Sequence, residues 1–446
     1  MSARERRRVA VATVVGTTIE WYDFFIYANA AGLVFQSLFF KPAGPQLSIL
    51  LSFATVGISF LFRPLGAALA GHFGDRVGRK LMLVLTLLCM GLATTLIGLL
   101  PTYATIGVLA PVLLIVLRIL QGVSAGGEWG GAVLMAVEHA PDGKRGRYGM
   151  FPQLGVPIGM LAASGILALM TGVIAPGAAF AAWGWRVPFL LSFVLIIVGY
   201  IVRRSVAESP VFTEIAEQRK QTRMPLVELF RRHWRLVILA ALVFAGNNAV
   251  GYMTTGGYVL NYASTPKAEG GVLGLDKTSV LLAVSGSAAL WLIFTVLAGF
   301  LADAIGRRIT YLIGWISQLI VVFPLFWLIN TGSIGWLFVG LGLLSIGLGL
   351  TYGPQPAWYA EIFPASIRFS GVAVSYAIGA IVGGAFAPTI STALVQRFHT
   401  TQAVSFYLLI MTVIGLTATL LLRDRQGIDL SIESEEDGTL AEGIGR

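Results

Sequence analysis

Apolar stretches of about 20 residues or more follow one another along the whole chain, and they limit its fold more than any other feature. A helix rises about 1.5 Å per residue, so each stretch matches the roughly 30 Å hydrocarbon core of a bilayer. In lipid every backbone N–H and C=O must find a partner within the protein, which leaves helices or a closed barrel, and continuous runs select helices. We read twelve spans, near 9–38, 48–71, 81–101, 106–138, 147–173, 186–203, 234–262, 278–302, 309–330, 335–360, 369–394 and 402–422. Only 12% of residues are charged and 56% are hydrophobic, against roughly 25% charged in a soluble domain. A water-soluble fold is therefore excluded.

Loop charge orients these spans. With the amino terminus in the cytoplasm, 24 of the 31 Lys and Arg fall on the inner side, five on the outer side and two within spans. Both termini are then cytoplasmic, and the net charge of +9 sets topology rather than attracting nucleic acid. The start, Arg4 to Arg8 before an apolar run, resembles a leader, but Glu20 and Asp23 interrupt that run and no cleavage is expected. Cys89 is the one cysteine, so neither an intrachain disulfide nor a thiolate metal cluster is available.

The chain repeats itself. Gly71-His72-Phe73-Gly74-Asp75-Arg76-Val77-Gly78-Arg79-Lys80 after the second span matches Gly299-Phe300-Leu301-Ala302-Asp303-Ala304-Ile305-Gly306-Arg307-Arg308 after the eighth, 228 residues on. Glu138-x-x-Pro141-x-x-x-Arg145 after the fourth matches Glu361-x-x-Pro364-x-x-x-Arg368 after the tenth, 223 residues on. Two pairs at nearly one offset mean a duplicated six-span unit whose copies share one orientation. The expected domains are an amino-terminal bundle (1–203), a cytoplasmic linker (204–233), a carboxy-terminal bundle (234–422) and a disordered tail (423–446).

Charges inside a bilayer are costly, so each needs an explanation. Five lie within our spans away from the span ends, all in the first half: Glu20, Asp23, Arg63, Arg118 and Glu128. Glu20, Asp23 and Tyr27 share one helix face, and span depths let Asp23 meet Arg118. A carboxylate beside Arg stays ionised and takes a proton once separated from it and shut from water. This is the minimum for a proton switch; a permanent structural ion pair is the alternative. Glu128 reads as a second proton site, a contact for a cationic substrate group, or a packing partner of Arg63. Free of it, Arg63 has the planar fork that fits a substrate carboxylate. His72, His139, His233 and His399 fall at span ends or in loops, so histidine is not the expected proton carrier. The sequence has no H-E-x-x-H and no G-x-x-x-x-G-K-[ST], so neither a zinc hydrolase nor an ATP-driven pump has its minimum residues.

The doubled loop motif and two-fold six-span plan resemble the major facilitator superfamily. More narrowly, Glu20-Trp21-Tyr22-Asp23-Phe24, Phe62-Arg63-Pro64-Leu65-Gly66, the run from Arg118 through Gln121-Gly122 to Gly126-Gly127-Glu128-Trp129-Gly130-Gly131, and Trp183-Gly184-Trp185-Arg186-Val187-Pro188-Phe189 resemble the metabolite:proton symporters, closest to the shikimate-like branch beside the α-ketoglutarate and proline/betaine carriers. The resemblance covers essentially the whole chain. It implies an all-α membrane protein of two pseudo-symmetric bundles, a multi-pass monomer in the lipid of the bacterial inner membrane, with no cofactor beyond the proton gradient. Its partners would be a small metabolite and protons. It also implies an inner gate formed by Asp75, Arg76, Arg79, Lys80, Glu138, Arg145, Asp303, Arg307, Arg308, Glu361 and Arg368. We expect Glu138 to pair with Arg145, Glu361 with Arg368, and Asp75 and Asp303 to cap the helices that follow them.

The expected function is proton-coupled import of an organic acid or zwitterion by alternating access. Proton coupling falls to Asp23, Arg118, Glu128 and Glu20. The substrate cavity is expected to draw on Tyr27, Arg63, Gln121, Trp129, Asn247, Asn248, Tyr252, Trp291, Gln318, Tyr352, Gln355 and Tyr376, with no metal ligands. The competing readings are an antiporter or exporter of the same fold and a transporter-like receptor or sensor.

Overall fold

The computed structural model describes residues 3–69, 79–126, 128–138, 140–204, 225–255, 257–269, 271–364, 367–428 and 430. All regular structure among these residues is helical. The main rods are α1 (Ala3–Ala30), α2 (Pro45–Leu69), α3 (Arg79–Leu99), α4 (Leu109–Glu138), α5 (Arg145–Ile174), α6 (Phe180–Ile201), α7 (Trp234–Thr255), α8 (Lys277–Ile305), α9 (Arg307–Ile329), α10 (Ile334–Ile362), α11 (Arg368–Phe398) and α12 (Gln402–Leu421). Ten of them, all but α1 and α3, are long and apolar enough among the described residues to cross a membrane. Four arginines and two buried acids lower the hydropathy of α1, and the apolar part of α3 is the shorter Val84–Leu99.

The rods break where glycine and proline stand. After α7 the chain turns through Gly257 at φ 77°, left-handed backbone that a side chain resists, into the helix Tyr258–Ser264. Between Tyr352 and Gln355, Gly353-Pro354 separates the two helical pieces of α10. Inside the first half, glycines let α4 lie directly on α2: a Cβ on Gly126 would sit 2.6 Å from the Ala67 amide nitrogen. Such small-residue crossings are how helices associate in lipid, where no hydrophobic driving force separates helix from solvent.

The two halves meet most extensively along α5 and α8, with α2 against α11 as the second seam. At the gate end the contact is ionic. At the centre Gln153 donates across it to the Tyr352 carbonyl at 3.0 Å and to Gln355 Oε1 at 3.2 Å. At the opposite end Asn261 donates to the Gly32 carbonyl at 2.8 Å, and the Thr171 and Thr278 hydroxyls are 3.0 Å apart. The halves therefore touch on both sides of the centre.

Candidate functional site

Glu20 and Asp23 are three residues apart on α1, and both are buried with their side chains on the inner face of the first bundle. Each has a different kind of partner. Glu20 Oε1 lies 3.6 Å from Arg63 Nη2, and the Arg63 guanidinium sits 4.5 Å from the Phe60 ring centre. Arg63, which the sequence offered as one packing partner for Glu128, thus pairs with Glu20 across α1 and α2. Asp23 is held by hydroxyls: Ser192 donates to Oδ1 at 2.6 Å and Thr94 to Oδ2 at 3.0 Å.

Arg118 is bound along its whole fork. It donates to the Thr55 carbonyl (3.1 Å), the Val56 carbonyl (2.9 Å), Ser59 Oγ (2.8 Å) and Gln121 Oε1 (2.7 Å), with its carbon 3.8 Å from the Tyr27 ring centre. Gln121 passes the connection on, donating to Thr94 Oγ1 at 2.7 Å. Asp23 is therefore joined to Arg118 through Thr94 and Gln121. Glu20, Asp23, Ser59, Arg63, Met90, Arg118 and Gln121 line one cavity inside the first bundle. Glu128 is buried at the head of the second piece of α4.

Between the halves the site is aromatic. Trp129 and Tyr376 stack with ring centres 3.8 Å apart, and Phe244 covers the other face of Tyr376 at 4.2 Å. The Tyr376 hydroxyl is buried near Tyr352 and Arg63 and makes no hydrogen bond among the described residues. Trp129 Nε1 donates to Gln153 at 3.0 Å, the glutamine that crosses to α10. Sequence reasoning had missed Gln153, Phe244, Thr94 and Ser192. All four are uncharged, and an isolated amide, ring or hydroxyl in an apolar run looks like ordinary helix packing.

The second-half residues divide. Asn247, Gln318 and Thr351 satisfy one another: Gln318 donates to Asn247 Oδ1 and Thr351 Oγ1 at 3.1 Å each, and Thr351 to Asn247 Oδ1 at 2.5 Å. This knot ties α7, α9 and α10 together. Asn248 and Trp291 instead carry side-chain nitrogens without a hydrogen-bond partner among the described residues, and Trp291 lies 5.6 Å from the Tyr352 ring.

The residues expected to form an inner gate pair across the halves. Glu138 pairs with Arg368 at 3.9 Å and Arg145 with Glu361 at 3.5 Å, so the pairing expected within each loop motif is exchanged between motifs. Two copies related by a two-fold axis bring the Glu of one beside the Arg of the other. Arg307 adds a second contact to Glu361 at 3.2 Å. Asp303, expected to cap the helix after it, caps α5 instead: its oxygens accept from the Gly146 and Arg147 amides at 2.7 and 3.0 Å. It also pairs with Arg307 at 3.3 Å and Arg147 at 3.5 Å. Arg308 turns away, donating to the Leu420 carbonyl and fixing α9 to α12.

The tail expected to be disordered from 423 begins instead as a strap under this gate. Arg145 donates to the Ile428 carbonyl at 2.5 Å and Arg368 to the Leu430 carbonyl at 2.9 Å. Each arginine carries five donors, more than one carboxylate satisfies, and the chain supplies the remainder. Asp75 and Arg76 lie outside the described residues, as do the side chains of Arg79, Lys80 and Tyr252. The run Gly122-Val123-Ser124-Ala125-Gly126 has the spacing of a hydrolase nucleophile motif. Here it is continuous helix, with Ser124 Oγ bonded to the Leu120 carbonyl, not the strand-to-helix turn that such a nucleophile needs. No cluster of three or more His, Cys, Asp or Glu able to hold a metal occurs among the described residues.

The family described as Major Facilitator Superfamily matches residues 13–374 and 253–442. The inner membrane metabolite transport protein YhjE of Escherichia coli K12 is 43% identical over 423 residues, 93% of this chain and 94% of its own. The shikimate transporter of the same organism is 37% identical over 435 residues, 96% of each chain. Among solved structures, the proton:xylose symporter XylE bound to 6-bromo-6-deoxy-D-glucose superposes with a TM-score of 0.75 over 98% of this chain and 99% of its own, at 19% identity.

Proposed function

The chain belongs to the Major Facilitator Superfamily and is a transporter of metabolites, and from that premise we propose that it imports a small organic acid or zwitterion together with protons, rocking two six-helix halves about a central site. It does so as a monomer in the inner membrane, with twelve crossings and both termini in the cytoplasm. The observation that carries the proton step is the setting of Asp23. Its hydrogen bonds come from two hydroxyls, Thr94 and Ser192. A hydroxyl both donates and accepts, so it can turn to serve a carboxylate or a carboxylic acid, whereas a guanidinium serves only the anion.

Substrate binds between the Glu20–Arg63 pair and the unpartnered donors of the second half. Arg63 offers a fork to a carboxylate and Glu20 an acceptor to a hydroxyl or ammonium group. Trp129, Tyr376, Tyr352, Trp291, Gln355 and Asn248 complete the cavity, and Asn247 and Gln318 hold its wall. Glu128 tunes Asp23 by charge. The crossed ion pairs and the Asp303 cap close the cytoplasmic side.

Purified protein screened by thermal shift against shikimate, keto acids, dicarboxylates, tricarboxylates, betaines and aromatic acids identifies the substrate. Proteoliposomes given an inward proton gradient then accumulate it, and Asp23→Asn abolishes accumulation while exchange persists. Proton-driven loss of substrate instead would make the protein an antiporter, and acid-driven accumulation by Asp23→Asn would remove Asp23 from the mechanism.

A further inference from the structure

The hydrogen bonds around Asp23 are unequal in what they allow when a proton arrives. Thr94 Oγ1 has three neighbours: Asp23 Oδ2 at 3.0 Å, the Met90 carbonyl at 3.0 Å and Gln121 Nε2 at 2.7 Å. Its single hydrogen can go to only one of the two acceptors, while its lone pairs take the Gln121 donor. With Asp23 ionised the hydroxyl points to the carboxylate. With Oδ2 protonated, the acid donates to Thr94, whose own hydrogen turns to Met90, and no donor or acceptor is stranded. Ser192 has no such exit, since Asp23 Oδ1 is its one acceptor among the described residues. A proton on Oδ1 would donate to Ser192 Oγ and leave the Ser192 hydrogen without an acceptor in a buried site, which costs about 1–3 kcal/mol.

We propose that Thr94 is a positioning residue of the proton step: its hydroxyl turns between Asp23 Oδ2 and the Met90 carbonyl as Asp23 loses and gains its proton, and Gln121 links that turn to Arg118. This rests on the reading of Asp23 as the proton carrier and specifies which oxygen is used. The charged groups facing Asp23 are Glu20 on its own helix, Arg63 on α2, and Arg118 and Glu128 on α4, while α3 and α6 present hydroxyls. Bonds in a chain polarise one another, so a Thr94 hydroxyl donating to a carboxylate accepts more strongly from Gln121. Through Gln121 Oε1 the change reaches the guanidinium that lies on Tyr27.

Infrared difference spectra of purified protein, titrated with acid and without substrate, test this with the proton as the only probe. In the parent carboxylic C=O bands grow in on acidification, and Asp23→Asn removes one of them. Thr94→Val, which keeps the side-chain shape and loses the hydroxyl, shifts that band in frequency, and Thr94→Ser returns it to the parent position. Thr94→Ala gives the same shift as Thr94→Val and replaces it where that variant does not purify. Loss of the band in Asp23→Asn together with an unshifted band in both Thr94→Val and Thr94→Ala overturns the role of Thr94 and leaves Asp23 as the carrier. A Thr94→Ser band displaced like that of Thr94→Val also overturns it. An Asp23→Asn spectrum that keeps every parent band overturns the assignment of the proton to Asp23, and the positioning role with it.

Discussion

At the scale of single residues, the five intramembrane charges play different roles because they have different neighbours. Arg118 is a structural hub as much as a charge. Its fork holds two carbonyls of α2, Ser59 and Gln121, and lysine, with three donors on one point, cannot reproduce that pattern. Arg118→Lys is therefore expected to lose about 2–4 kcal/mol of stability, one or two charged hydrogen bonds, and most of its uptake. Thermal unfolding and transport by the purified variant check both, and a parent-like melting temperature would sink the hub assignment. Sequence made the charged residues conspicuous, since each is expensive in lipid. It said nothing of Thr94 or Ser192, whose significance depends on which carboxylate they touch.

At the scale of elements, small residues and helix ends carry the argument. α4 crosses α2 where a Cβ on Gly126 would meet the Ala67 amide nitrogen at 2.6 Å, while one on Gly131 would approach only the Phe369 ring, at 4.0 Å. Gly126→Leu should abolish recovery of monodisperse protein in size-exclusion chromatography and Gly131→Ala should not; equal recovery would show that the crossing tolerates bulk. The start of α5 takes its cap from α8, across the molecule. Asp303→Asn retains one acceptor oxygen but loses the charge that faces two amides and two arginines. A cost of about 1–2 kcal/mol is expected, falling on the gate-closed state. The measurement is alkylation of cysteines placed in the inner half of the cavity, which should label faster in the variant, in a Cys89→Ser background; parent rates would refute the cap's gating role.

At the scale of the whole molecule, the duplicated sequence becomes a pair of crossed locks. Glu138 with Arg368 and Arg145 with Glu361 each join one half to the other, so on the proposed function closure on this side would depend on both halves together. Reversing one charge, Glu138→Arg or Arg368→Glu, should open the gate side, and the double reversal should recover part of the parent labelling pattern. Additive opening in the double variant would show that the two residues do not act as a pair. The strap beyond α12 belongs to the same closure, since Ile428 and Leu430 occupy donors of both gate arginines. Truncation after Arg423 frees those donors and should shift the resting state toward the gate-open form, with faster inner-cavity labelling. Unchanged labelling would make the strap a passenger.

The sequence by itself determined that this chain lives in a membrane as helices, that it is built from a repeated unit, and where its costly charges lie. These follow from local quantities: apolar length, loop charge and repeated spacing act along the chain. Only the tertiary structure decided partnership. It gave Arg63 to Glu20, linked Asp23 to Arg118 through two neutral side chains, crossed the gate pairs and tied Asn247 to Gln318. Each of those choices depends on which helices lie face to face, and in lipid that is settled by close packing and hydrogen bonding between surfaces that are equally apolar in sequence.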